Sequence, residues 1–243
     1  MKNTKHLLKL VTLSMLIALG VVISPILRVE GMCPMAHIIN IVCSVFLGPW
    51  YSLLCAPLIG VIRMLLMGIP PIALTGAVFG AFLSGVFYRA SRGRIIFAVL
   101  GEILGTGVIG AIMSYPVMTF LWGKENLSWL FYVPSFICGT LIGGSIAYVF
   151  LRKFAANGML ARIQTMLGSE SYLDQTGTLS NALTIAAFGA ILFVVIELAS
   201  DIFKLTGALW DKLSYISLAV CAAAAVLYYI TKKVKAPHAA SNP

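Results

Sequence analysis

The chain has 243 residues, of which 60% are apolar and 10% charged, and its formal net charge is +9. A water-soluble domain of this size has too little interior to hide so much apolar surface, so soluble fold classes are excluded. The basic excess lies in short connections between apolar stretches, and no soluble, aromatic-interleaved basic segment is present to bind nucleic acid.

A helix crossing the hydrocarbon core needs roughly 20 mainly apolar residues. The pattern predicts such spans near 7–27, 36–48, 50–67, 71–88, 95–121, 129–151, 180–200 and 213–231. The expected fold class is therefore all-α, a polytopic membrane helical bundle. Residues 36–48 and 50–67 are short and run together across Gly48-Pro49-Trp50, and Pro57 interrupts the second, so a re-entrant pair competes with two crossings there.

Short loops keep Lys and Arg on the cytoplasmic side. Lys2, Lys5, Lys9, Arg89, Arg92, Arg94, Arg152, Lys153, Arg162, Lys232, Lys233 and Lys235 share one side of an eight-span layout, against Arg28, Lys124, Lys204 and Lys212 on the other. Arg63, inside a span, completes the 17 cations. Both termini are expected to be cytoplasmic and the protein to reside in the cell membrane. The apolar run after Lys9 continues to Leu27 with no small-x-small cleavage site, so it reads as a retained first helix rather than a secretory signal.

The organisation divides near residue 152. Residues 1–151 form six closely spaced spans, 152–179 a cytoplasmic interfacial linker, and 180–243 a two-helix membrane appendage with a basic tail. In the linker Leu151, Phe154, Leu160, Ile163 and Leu167 recur at helical spacing, which predicts a short amphipathic helix lying against lipid.

Small residues mark where membrane helices approach closely. Rows occur at Ser14-Ala18, Gly76-Gly80-Ser84, Ala77-Ala81-Gly85, Gly101-Gly105, Thr106-Gly110, Gly139-Gly143-Ala147 and Thr140-Gly144. Packing within the bundle is the simplest use of each row, and docking to another subunit uses the same geometry.

Polar groups at membrane depth are costly unless paired or wet. His37, Asn40 and Ser44 share one face of the second helix, and Thr106 lies one turn beyond Glu102 on the fifth. Arg63 is expected about 20 Å above the inner end of its helix and Glu102 about 12 Å above its own, at 1.5 Å per residue. Two readings stand. Arg63 and Glu102 form an internal ion pair, or these groups floor an outward-facing cavity with Tyr115, Trp122, Tyr132 and the Met32-Cys33-Pro34-Met35 loop near its mouth. Near the end of the seventh span, Glu197 and Asp201 with Lys204 read as a solvated helix end.

Enzyme chemistry finds no foothold. HExxH, GxSxG and P-loop sequences are absent, the three histidines are scattered, and Cys33, Cys43, Cys55, Cys138 and Cys221 lack CxxC spacing. Neither a metal nor another cofactor is expected. What remains is a binding bundle that takes its energy from elsewhere, or a ligand sensor or assembly scaffold.

The stretch Cys33-Pro34, His37, Asn40, Leu47-Gly48-Pro49-Trp50-Tyr51, then Gly60-Val61-Ile62-Arg63, then Gly101 through Ala111, resembles the ThiW family. These are substrate-binding S components of energy-coupling factor (ECF) transporters, associated with the thiazole precursor of thiamine. The resemblance covers roughly residues 7–151. It implies a six-helix core binding a hydroxyethylthiazole-like ligand from outside, with a T subunit and two ATPase subunits as partners. It implies that the loop from Met32 to His37 closes over the ligand, with His37 or Asn40 bonding its hydroxyl or ring nitrogen, and that Arg63 and Glu102 could be structural; together with the polar residues above, the expected substrate site is Cys33, His37, Asn40, Arg63, Glu102, Thr106 and Tyr115. Ser14 and Ala18 look like the first-helix surface that meets the T subunit, with Ser14 where alanine is usual. The chain departs from the family pattern at Ala36, where glutamine is common, and at Met64, where asparagine is common. Both departures remove polarity beside the expected pocket, and the two helices after residue 180 lie outside the usual unit.

Overall fold

The computed structural model describes residues 2–28, 32–172, 178–203 and 210–235. Every regular element among them is a helix: α1 (Lys2–Ile23), α2 (Pro34–Leu47), α3 (Pro49–Met67), α4 (Ile72–Ala90), α5 (Ile95–Leu121), α6 (Val133–Ala156), α7 (Met159–Leu167), α8 (Thr178–Phe203) and α9 (Trp210–Lys235). Among the described residues, α1, α3, α4, α5, α6 and α9 contain stretches long and apolar enough to cross a bilayer. The fold is thus an all-α polytopic membrane bundle, with a helix at each of the eight predicted spans. The chain forms two compact units, Met1–Leu173 and Asp174–Pro243.

In the first unit α2 is the hub. Its 14 residues make a rod of only about 21 Å, short of the roughly 30 Å hydrocarbon core. The shortness has a local cause. Pro34 opens the helix, Gly48 closes it at φ +97°, and Pro49 starts α3 at once. Gly48 is also the seat of the Arg89 guanidinium, since a Cβ there would lie 2.3 Å from Arg89 Nη2. Helices α1, α3, α4, α5, α6 and α7 all pack around α2, which is what allows a polar face on it to be held away from lipid.

Glycine governs the approach of α5 to α4. A Cβ on Gly101, Gly105 or Gly110 would come within 2.5 Å of α4 backbone atoms, at Leu83, Gly80 and Gly76 respectively. The small-residue rows of the two helices therefore face each other. Helix α5 is not uniform, for Ile103–Gly110 and Val117–Leu121 wind as wide π turns. The second follows Pro116, which has no N–H for the regular ladder. The first begins directly after Glu102, and such turns often accompany functional side chains. On α6, Gly139 and Gly143 admit the start of α2, with a Cβ on Gly143 falling 2.2 Å from the Pro34 carbonyl oxygen.

The amphipathic helix α7 departs from expectation. The face carrying Leu160, Gln164 and Leu167 is buried against protein rather than lying on lipid, because Gln164 reaches inward. Its Nε2 donates to the Val45 carbonyl at 2.9 Å and to the Tyr88 hydroxyl at 3.0 Å. One of the carbonyls left over at the end of α2 is thereby capped by a side chain from another helix.

The second unit is the helix pair α8 and α9. Asn181 Nδ2 donates to the Tyr228 hydroxyl at 2.9 Å, and Phe193 meets Tyr215 edge to face at 5.4 Å. Glu197 Oε1 accepts a 2.5 Å hydrogen bond from Ser214 Oγ, so this carboxylate is partnered inside the pair rather than left to solvent. The Asp201 side chain and Lys204 lie outside the described residues.

Candidate functional site

The site is built on Glu102, which α5 presents at the core of the first unit with no exposed surface. One carboxylate oxygen, Oε1, collects three partners from two helices. His37 Nδ1 stands 2.9 Å away, Asn40 Nδ2 donates at 3.0 Å and Thr106 Oγ1 donates at 3.1 Å. The His37–Asn40 spacing of three on α2 and the Glu102–Thr106 spacing of four on α5 put each pair on one helix face, so two helices suffice to build the cluster. Gly80 of α4 makes the room. A Cβ there would fall 1.9 Å from Thr106 Oγ1 and 2.8 Å from Glu102 Oε2. A second polar layer lies beyond, where Ser44 Oγ meets Ser84 Oγ at 2.8 Å and Ser52 Oγ donates to the Ala81 carbonyl at 2.8 Å.

A partly enclosed cavity of about 80 Å³ opens beside this cluster. One buried water needs only about 10–15 Å³ by the same measure. His37 and Thr106 reach its wall from the cluster, and Arg28, Cys33 and Arg63 add the other polar groups. The remaining wall is apolar, with Ile69, Ile72 and Phe136 giving bulk, and Ala73, Gly76 and Ala77 giving space where side chains are missing. Since Nδ1 of His37 faces Glu102, Nε2 is the nitrogen left for a ligand. Gly139 leaves that atom free of crowding, because a Cβ there would approach Nε2 to 3.2 Å. The Cys33 thiol donates to the Ser24 carbonyl at 2.9 Å, tying the loop before α2 to the end of α1.

Of the residues expected from sequence, Cys33, His37, Arg63 and Thr106 line the cavity, while Asn40 and Glu102 sit one step behind and hold the others. Tyr115 stands apart. It stacks on Trp129 with ring centroids 4.4 Å apart and lines no part of the cavity. Trp122 and Tyr132 likewise fall outside the lining, and Phe136 is the aromatic residue in the wall. The Arg63–Glu102 ion pair, one of the two readings of the sequence, is not formed among the described residues. Glu102 takes its partners from α2 and its own helix, and Arg63 Nε is buried with no hydrogen-bond partner. Ser14 and Ala18 lie instead in a shallow groove on α1, with Ile17, Val21, Val22 and Ile62. Among the described residues no cluster of His, Cys, Asp and Glu has the form of a metal site.

Sequence reasoning did not anticipate Arg28, Ile69, Ala73, Gly76 or Phe136 in the wall. The one usable signal was the run of small residues around Gly76, readable as a void as easily as a packing face.

Neither a curated protein nor a solved structure matches the chain. The model of the thiamine-precursor transporter protein (ThiW) family matches residues 10–157, well over half of the 243 and every described residue that lines the cavity. The chain belongs to the ThiW family, whose members are thiamine-precursor transporter proteins.

Proposed function

We propose that the chain is the substrate-binding S component of an ECF-type importer, taking a thiazole-like thiamine precursor from outside the cell. The observation that carries this reading is the cavity itself. Its walls are apolar enough for a small flat ring, and His37 and Thr106 are held at its surface by a carboxylate that a ligand need not touch. His37 Nε2 is the group proposed to meet the ring nitrogen or a ligand hydroxyl. Asn40 and Glu102 act through His37 and Thr106, fixing their orientation.

The distribution of cations supports cytoplasmic termini and a cavity mouth facing outward. Uptake against a gradient then requires partners, because the sequence contains no nucleotide-binding motif. The proposed partners are a transmembrane T subunit and two ATPase subunits. The groove around Ser14 and Ala18 is the proposed T-subunit contact, supported by exposed Val11, Met15 and Val22 on the same helix. Six helices with α7 form the proposed binding core, and α8 with α9 a separate appendage.

Equilibrium binding of hydroxyethylthiazole to the detergent-purified protein, with thiamine as comparator, tests the reading. Tight thiazole binding that is lost in His37→Ala is the expected result. Failure of the folded protein to bind any thiazole would overturn it.

A further inference from the structure

Among the described residues the charge of the cavity wall does not balance. Arg63 is 4% exposed, its Nε is buried with no hydrogen-bond partner, and the residue lines the cavity. Exposed Arg28 adds a second guanidinium to the same wall, and no Asp or Glu is among the described lining residues. Glu102 lies behind the wall, and its Oε1 is committed to His37, Asn40 and Thr106. Among the described residues, counting that carboxylate against the two arginines still leaves one positive charge over. Among the described residues neither arginine has a carboxylate within ion-pair distance. A buried guanidinium is expensive without a paired anion, and its planar fork matches an oxyanion of two or more oxygens.

From this imbalance we infer that the ligand carries an anionic oxygen group, a carboxylate or a phosphate, which Arg63 holds with help from Arg28. The inference rests on the reading of this cavity as the precursor site and adds the chemical class of the precursor. The apolar side of the wall, Ile72 and Phe136, takes the ring, and His37 and Thr106 take its neutral polar atoms. A neutral hydroxyethylthiazole would leave Arg63 without a counter-anion, so it is the poorer ligand.

The test measures binding of three probes to the full-length, detergent-purified chain at one pH: neutral hydroxyethyl-methylthiazole, its phosphate ester, and methylthiazole carboxylate. At least one anionic probe is expected to bind about ten- to a hundred-fold more tightly than the neutral one, the range of one charge-assisted contact. The tighter of the two anions identifies the group. Arg63→Met is expected to erase that preference, so that the anionic probes bind no more tightly than the neutral one, and Arg63→Lys to retain part of it. The comparison within the unmodified protein stands even where a variant fails to fold. Equal or tighter binding of the neutral probe, still lost in His37→Ala, would overturn the inference and leave the site in place. So would an anion preference that survives Arg63→Met. Phosphatidylglycerol added to the micelles separates a ligand from a lipid. Loss of the preference on its addition would assign Arg63 to a headgroup and sink the inference. Failure of all three probes to bind folded protein would sink it together with the site.

Discussion

Replacing Gly105 by alanine probes the contact on which the whole site is registered. The added Cβ would stand 2.5 Å from Gly80 Cα and 2.6 Å from both the Gly80 nitrogen and the Phe79 carbonyl oxygen. Ordinary contact begins at 3.4 Å, and all three obstacles are backbone, so no rotamer change relieves them. The helices must part by about 1 Å, an overpacking that costs about 1–3 kcal/mol, toward the upper end where backbone itself must move. Alanine returns up to about 1 kcal/mol of helix propensity over glycine, leaving a net loss of about 2 kcal/mol. For a unit of this size that lowers the melting temperature by roughly 4–8 °C. Gly60→Ala is the matched control. Its Cβ would meet Leu74 Cδ1 at 3.3 Å and the Ala73 carbonyl at 3.4 Å, a contact that a flexible Leu tip largely relieves, so stability should be unchanged or rise by up to about 1 kcal/mol from the same propensity gain. The assay is thermal unfolding of detergent-purified protein followed with a thiol-reactive dye, since Cys43 and Cys55 are free and wholly buried. The same sample gives thiazole affinity, which should fall in Gly105→Ala because α5 carries Glu102 and Thr106 with it. A Gly105→Ala protein as stable as Gly60→Ala, with unaltered binding, would refute the claim that glycine sets the α4–α5 spacing.

Two further predictions concern the end of the bundle where α2 meets α7. Gln164→Leu leaves the Val45 carbonyl and the Tyr88 hydroxyl without their donor, a loss of about 1–3 kcal/mol, and trypsin should then cut faster after exposed Arg162 on α7 while thiazole binding persists. An unchanged cleavage rate would mean that leucine packing alone holds α7. Tyr172 is pushed up to about 12, first by partial burial, then by its hydrogen bond to Glu170 and that residue's negative charge. Because the folded protein holds the phenolic proton above the unfolded value near 10, the contribution is complete below about pH 10 and is lost as pH climbs toward 12. Tyrosinate absorbance, read against a Tyr172→Phe background, should show the midpoint fall in Glu170→Gln but stay above that of a free tyrosine, because the burial remains. An unmoved midpoint would exclude Glu170 as a cause.

The helices were legible because apolar length is the dominant signal in a membrane chain, and the glycine rows were legible because close approach leaves few residues to choose from. Glu102 with Thr106, and His37 with Asn40, were readable as faces from spacings of four and three. What could not be read was the rotation of one helix about its axis relative to the next. Helical rise gives the depth of a residue, and on depth alone Arg63 and Glu102 were plausible partners across about 8 Å. Azimuth decided otherwise. Helix α5 turns Glu102 toward α2, where three donors converge, and α3 leaves Arg63 in the wall of the cavity. Rotation likewise places Tyr115 against Trp129 rather than in the cavity wall.

The same azimuth connects the structural and functional sides of the site. A carboxylate neutralised by Arg63 would have left exposed Arg28 as the charge in the described wall and nothing to orient His37. By giving Glu102 its partners on α2, the fold fixes the imidazole through Nδ1 and leaves a guanidinium free to meet a ligand. The two carboxylate oxygens divide the work unequally. Oε1 holds three groups, whereas Oε2 is buried without a hydrogen-bond partner beside Gly80. Native interiors rarely leave a guanidinium nitrogen unpaired, so the buried Nε of Arg63 in the cavity wall supports the proposed ligand. That is the physical case for a ligand in this cavity, and it depends on the placement of Arg63 rather than on the resemblance of any sequence motif.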